Sequence, residues 1–225
     1  MTLNKKIVLC GAGGHAKSIY SALNTNAEYE IVGYSDVQKK DFANLEYLGN
    51  DEGVVSLKNK GVDYAFVCVG SIGNPAIRKK IFQNLKNANF KLPAIIDKTA
   101  AVDAKFIGEN VFIGKNSIVN YDAIIEDMAI INSGAIIEHE VHIEKYVHIA
   151  PGAVVCGNCT IGENTHIGAG SVVIQGVKIG KNTIIGAGSV VVKDIPDGVV
   201  AFGNPCKVVK KNEKSIDNCW GWRKP

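Results

Sequence analysis

Residues 125–149 read Ile125-Glu126-Asp127-Met128-Ala129-Ile130-Ile131-Asn132-Ser133-Gly134-Ala135-Ile136-Ile137-Glu138-His139-Glu140-Val141-His142-Ile143-Glu144-Lys145-Tyr146-Val147-His148-Ile149. An aliphatic residue returns every six positions, and the register runs without insertion from Ile107 to Val191, fifteen matches in all. Four residues after each of the first fourteen stands a small or β-branched residue, and three after it Asn or Gly fills ten of the fourteen places, as at Asn110, Asn116, Gly134 and Gly152. A period of six is neither the 3.6 of a helix nor the alternation of a simple strand. It fits short strands joined at tight corners, where the aliphatic and the small residue point inward and Gly or Asn accepts a left-handed backbone. Three such sides close one turn of a parallel β-helix. The pattern predicts about five turns, each covering the apolar face of the next.

Composition agrees with a thin coil. Of 225 residues 46% are apolar, yet glycine reaches 24 and aromatics only 7%. Twelve of the glycines lie between 107 and 191, whereas four of the 16 aromatics fall between 94 and 200, as expected where there is no room for large rings. The longest apolar stretches are far short of the roughly 20 residues of a membrane span, and the run Ile7 to Cys10 is too brief for a signal-peptide core. Six scattered cysteines in a chain of this size suit a reduced, cytoplasmic setting. Net charge is +3 overall but divides into +4 for residues 1–93, −5 for 94–200 and +4 for 201–225. No segment joins a strong basic stripe to stacking aromatics, so nucleic acid is not an expected partner.

The first part of the chain reads differently. Lys5 to Cys10 predicts a strand, followed by Gly11-Ala12-Gly13-Gly14-His15-Ala16 and a helix through Leu23. A second strand, Tyr29 to Tyr34, ends near Asp36; a third, Tyr64 to Val69, ends at Gly70 and leads into a helix from about Pro75 to Asn87. This is a βαβ arrangement with its ligand expected at the strand ends. Three segments follow: an α/β Rossmann-like half-domain at 1–93, an all-β solenoid at 94–200, and a capping segment with tail at 201–225. Gly11, Gly13 and Ala16 satisfy G-x-G-x-x-G/A, and Asp36 stands where a ribose-binding acid would. Only about half of a six-stranded dinucleotide fold fits before the repeats begin. A nucleotide diphosphate at the helix start, a dinucleotide, and a purely structural tight turn are the three readings of this motif.

Four of the five histidines, His139, His142, His148 and His166, lie in the repeats. His139, third in its hexad and flanked by Glu138 and Glu140, projects outward near a corner, where neighbouring carboxylates favour the imidazolium and raise basicity. A surface histidine among solvated charges is the plain alternative. His148 and His166, eighteen apart, stack on neighbouring turns. His139 and His148 are nine apart, half a turn, and a side is about 20 Å if extended, so these two meet more readily across an interface between coils than within one. That favours a trimer with sites between subunits. Cys156 points out and Cys159 in, so this C-x-x-C is not expected to hold a metal.

The repeats resemble those of the hexapeptide acyltransferases, which implies a left-handed coil, an exception to the usual crossover hand. The stretch Asn132 to Glu140, followed by His148, together with Gly13-Gly14-His15, is similar to the bacterial sugar acetyltransferases of the bacillosamine pathway, a subfamily that includes sialic acid O-acetyltransferases. The resemblance implies a homotrimer, with acetyl-CoA in the groove between coils. By the same resemblance His139 is the general base, Glu140 tunes it, and His148 lies beside the acetyl donor. His15 and Asn132 position the sugar, and Ser35, Asp36 and Gly70 fall at nucleotide-contacting strand ends. Family members often carry two acids where this chain has Ser35-Asp36, so the base is not fixed. Small residues at Gly168-Ala169 and Gly186-Ala187 would let pantetheine approach, although tight corners alone also call for glycine. Residues from Ala201 to Val208 resemble the closing loop and short helix after the coil, and Lys207, Lys210 and Lys211 could face CoA phosphates or water. The expected activity is acetyl-CoA-dependent N-acetylation of a UDP-4-amino-4,6-dideoxy sugar. Sialic acid O-acetylation is the enzymatic alternative, and a nucleotide-sensing or scaffold trimer the non-enzymatic one.

Overall fold

The computed structural model describes residues 4–25 and 28–212. Cys219, Trp220, Trp222 and the rest of 213–225 lie outside the described residues. The chain divides into two compact units, Met1–Gly70 with Ala76–Lys98, and Ser71–Pro75 with Thr99–Pro225.

In the first unit, β1 (Lys5–Cys10), β2 (Tyr29–Ser35) and β3 (Tyr64–Val67) form a parallel sheet in the order β2-β1-β3. In the central strand Ile7, Val8 and Leu9 are fully buried. Helix α1 (Gly14–Leu23) presents Ala16, Ile19, Ala22 and Leu23, a 3–4 spacing, to the core. A helix the repeat-based reading did not anticipate, α2 (Asp51–Leu57), starts where the Asn50 side chain accepts the Gly53 amide at 3.3 Å. Helix α3 (Ala76–Asn87) follows β3 and buries Ile81, Phe82 and Leu85.

The second unit is a parallel solenoid of about six turns. Sixteen two-residue strands run from Ala101–Val102 to Val190–Val191, and each from Phe106–Ile107 up to Val172–Val173 pairs in parallel with the strand eighteen residues on, as Ile130↔His148↔His166↔Ile184. Within this unit the side Ala101–Val102 precedes the first counted repeat. From Ile113 to Val191 every repeat aliphatic is buried, as is every residue from Val111 to Ser189 that follows one by four. All fourteen residues that follow by three have positive φ, including the four that are neither Asn nor Gly: Asp122, Met128, Glu140 and Tyr146. Packing of the two inward columns thus imposes the left-handed corner even where the side chain disfavours it, at about 1–2 kcal/mol per residue.

After the last side, Val199–Phe202 pairs in parallel with Ile184–Ile185 and antiparallel with Lys207–Lys211, and Ala201 and Cys206 are buried over the final turn. The short helix expected after the coil is replaced, within the described residues, by this hairpin. Val199, Ala201 and Cys206 are buried while Lys207–Lys211 is exposed throughout, so one strand covers the coil and the other is an outer edge.

Candidate functional site

The glycine-rich turn joins β1 to α1. The Gly11 amide donates to the Ser35 carbonyl (2.7 Å), and its φ of 114° with Val69 and Cys68 packed against it requires glycine. Gly13 and Gly14 are a different case. Both are exposed, neither has positive φ, and a Cβ on either would meet nothing within 4 Å. Among the described residues neither backbone conformation nor packing requires glycine at either position, although glycine is a favoured helix N-cap, the place Gly13 holds. Gly13 N-caps α1 without a side-chain hydrogen bond, so the first amides of the helix are not capped by Gly13 itself.

Asp36 closes the same turn. Its Oδ2 accepts the Ala12 amide (2.9 Å) and the Lys40 ammonium (2.7 Å). Burial raises its carboxyl pKa, but the hydrogen bonds from Lys40 and the amides outweigh this and the net shift is downward. Ser35, the last residue of β2, is buried with its hydroxyl unbonded. His15 packs on the main chain at Gly70, where a Cβ would lie 3.3 Å from the His15 Cβ. Burial first, and the Arg78 charge second, push its pKa down to about 3, so the ring is neutral at pH 7. Arg78, on the first turn of α3, is itself buried and was not anticipated, because a lone Arg in a helix rich in lysine carries no distinguishing signal.

On the coil, His139 occupies the corner after Ile136–Ile137, with 60% of its side chain exposed. Its Nδ1 faces Glu140 Oε2 at 3.0 Å. Glu138 turns away and accepts the Asn120 amide at 2.9 Å, so of the two flanking acids only Glu140 orients the ring. With Nδ1–H donated to Glu140, the Nε2 lone pair is left outward. Glu140 has φ 58°, the left-handed corner conformation it shares with the rest of its column.

Two sides further on, His148 is held at both nitrogens. Its Nδ1 donates to the Ser71 carbonyl (3.1 Å), and Nε2 accepts from the Asn132 amide, whose own carbonyl oxygen accepts from the Ser133 amide. Asn132 and His148 are therefore brought together, with Ser71 as a partner the sequence did not reveal. The His166 ring meets His148 edge-on, centroids 4.8 Å apart. Buried with Nδ1 unbonded, His166 has its pKa pushed down by desolvation to about 4. An unfolded histidine takes up its proton near pH 6.5, so between pH 6.5 and about 4 protonation favours the unfolded chain. The stabilisation is complete above that window and falls as pH drops through it, by up to about 3 kcal/mol. His166→Phe should flatten the decline of the melting temperature between pH 7 and 4.5; a decline as steep as that of the parent chain would refute the assignment.

Ala169 and Ala187 are exposed and stacked eighteen apart. Gly168 and Gly186 have a structural cause: a Cβ on Gly168 would lie 2.4 Å from the Ala187 nitrogen, and one on Gly186 would lie 2.7 Å from the Phe202 Cβ. Close stacking of turns already requires both. Lys207, Lys210 and Lys211 are exposed on the outer hairpin strand. The Cys159 thiol points into the coil, donating to the Ile174 carbonyl at 3.1 Å, and among the described residues no three His, Cys, Asp or Glu converge as metal ligands.

Family models place this chain by both halves. The PglD N-terminal domain matches residues 6–85, the hexapeptide repeat of succinyl-transferase 106–139, and the bacterial transferase hexapeptide (six repeats) 158–193. PerB from Caulobacter crescentus, solved with CoA and GDP-perosamine, is 32% identical over 91% of this chain and 97% of its own, with a TM-score of 0.84. The chain belongs to the hexapeptide-repeat sugar acetyltransferases. As a member of that family it is an acyltransferase. The acetyltransferase domain of PglB from Neisseria gonorrhoeae, solved with acetyl coenzyme A, is 32% identical over 92% of this sugar acetyltransferase and 100% of its own chain, with a TM-score of 0.85. WeeI from Acinetobacter baumannii, 24% identical over 90% of this chain and 99% of its own, shares the fold with a TM-score of 0.80. None of the curated protein sequences compared with the acetyltransferase matches it. Among the described residues, no helix is long and apolar enough to cross a membrane.

Proposed function

We propose that this enzyme transfers the acetyl group of acetyl-CoA to the amino group of a nucleotide-linked 4-amino-4,6-dideoxy sugar. The observation that carries the reading is the His139–Glu140 pair on an exposed corner, in a chain 32% identical to an enzyme solved with CoA and GDP-perosamine. The glycine-rich turn holds the diphosphate on amides at the start of α1, with Gly13 and Gly14 open to it, and Ser35, Asp36 and Gly70 mark the nucleoside end. His15 and Asn132 position the sugar. The amine nitrogen attacks the thioester carbonyl, His139 Nε2 takes its proton, the carbon–sulfur bond breaks and CoA leaves as thiolate, to be protonated in turn. No covalent enzyme intermediate is required, only two substrates held in line. Glu140 keeps the base in its reactive tautomer. His148 adjoins the acetyl donor, which runs along the column of Gly168, Ala169, Gly186 and Ala187. The half-turn between His139 and His148 supports a homotrimer whose sites lie between coils, working in the cytoplasm.

The nucleobase is proposed to be uracil, although a relative was solved with a GDP-sugar. Purified enzyme given acetyl-CoA and, in separate assays, UDP-, dTDP- and GDP-linked 4-amino-4,6-dideoxy sugars and sialic acid is expected to release thiol fastest with the UDP sugar. Its kcat/KM should exceed that for sialic acid by at least about 100-fold, since a site built for one nucleophile rejects another when polar groups are left unpaired. Preference for sialic acid would overturn the N-acetyl reading, and preference for the GDP sugar the assignment of uracil alone.

A further inference from the structure

Fourteen corner residues, from Glu109 to Ala187, follow a repeat aliphatic by two positions, and thirteen carry a side chain, some as large as Tyr121 and Lys145. The exception is Gly157. Its backbone does not ask for glycine, since it is absent from the residues with positive φ. What excludes a side chain is His139: a Cβ on Gly157 would lie 2.5 Å from Cε1, 2.6 Å from Nε2 and 3.1 Å from Nδ1 of that ring. Gly157 is one turn, eighteen residues, beyond His139, and the Asn158 amide donates to the His139 carbonyl at 3.0 Å, fixing the two corners in register.

We infer that Gly157 is a positioning residue for the acetyl transfer: its missing side chain leaves the floor over which the His139 imidazole stands while Nδ1 is held by Glu140. Every other corner of this column type tolerates a side chain, so the vacancy belongs to the ring and not to the coil. A methyl group at 157 must push the ring off this position, and a displacement on the order of 1 Å at a reacting group is enough to cost about 100-fold in rate. The kinetic half of the inference rests on His139 being the base; the steric half does not.

The test is Gly157→Ala in the full-length enzyme, alone and combined with His139→Ala. Alone, it should lower kcat at least about tenfold with KM for acetyl-CoA and for the amino sugar within about twofold. Its melting temperature should respond to the ring. Any loss seen with His139 present, about 3 °C for a chain of this size, should vanish or reverse in the His139→Ala background, where alanine only stiffens the unfolded chain. A kcat within twofold of the parent, or the same melting loss in both backgrounds, overturns the inference. If His139→Ala itself retains full activity, the base assignment fails, and the melting comparison still decides whether Gly157 makes room for the ring.

Discussion

Replacing His139 with alanine is expected to lower kcat by about 10²- to 10⁴-fold, the usual worth of a positioned proton acceptor, while leaving the far-ultraviolet circular dichroism and the melting temperature close to those of the parent chain. The side chain is 60% exposed and its ion-pair partner Glu140 is 61% exposed, so little folding energy is lost with it. The measurement is thiol release from acetyl-CoA at saturating acceptor. Activity within tenfold of the parent would remove His139 from the mechanism. Glu140→Gln should give a smaller loss, since an amide oxygen can still accept the Nδ1 proton but offers less support to the imidazolium.

The largest effect on stability is expected at Ile149. Its side chain is fully buried and pairs in register with Ile131 on one turn and Ile167 on the next. Its neighbour in the same two-residue strand is His148. Ile149→Ala should cost about 2–5 kcal/mol and Ile149→Val about 0.5–1.5 kcal/mol, corresponding to about 2–4 °C in melting temperature for each kcal/mol in a chain of this length. Neighbouring rungs are held in place by their own pairing and cannot collapse into the cavity, which argues for the upper part of the range. Thermal denaturation of the two variants beside the parent tests this; an alanine variant no less stable than the valine one would contradict the packing described.

The coil was legible in the sequence because its contacts repeat with the same step as its residues. A side chain at one position touches those eighteen away, so counting hexads is the same act as counting neighbours, and the buried columns from Val111 to Val191 follow directly. What lacked periodicity was harder to read. Helix α2 is a single short element marked only by its Asn50 cap. The segment Lys207–Lys211 carries no alternation that separates a strand from a helix, and pairing with Val199–Phe202 decided the matter. In the candidate site, spacing put His139 between two acids but could not say which one its ring would face; Glu140 lies 3.0 Å from Nδ1, whereas Glu138 is engaged by Asn120 one turn away. His166 was placed beside His148 by arithmetic, yet its burial depends on what covers that outer face, which no hexad encodes. Gly157 was hidden among many glycines, and only comparison with its own column separates it from those that corners or stacked turns require.

The eighteen-residue pairing also orders how the coil opens. Each rung is held by the one before and the one after, so fraying starts at the ends and works inward one turn at a time. Asn132, His139, Glu140 and His148 sit on the central turns between Ala101 and Phe202, the part that loses its amide protection last. A chain of this kind can breathe at both ends while the geometry around His139 stays intact.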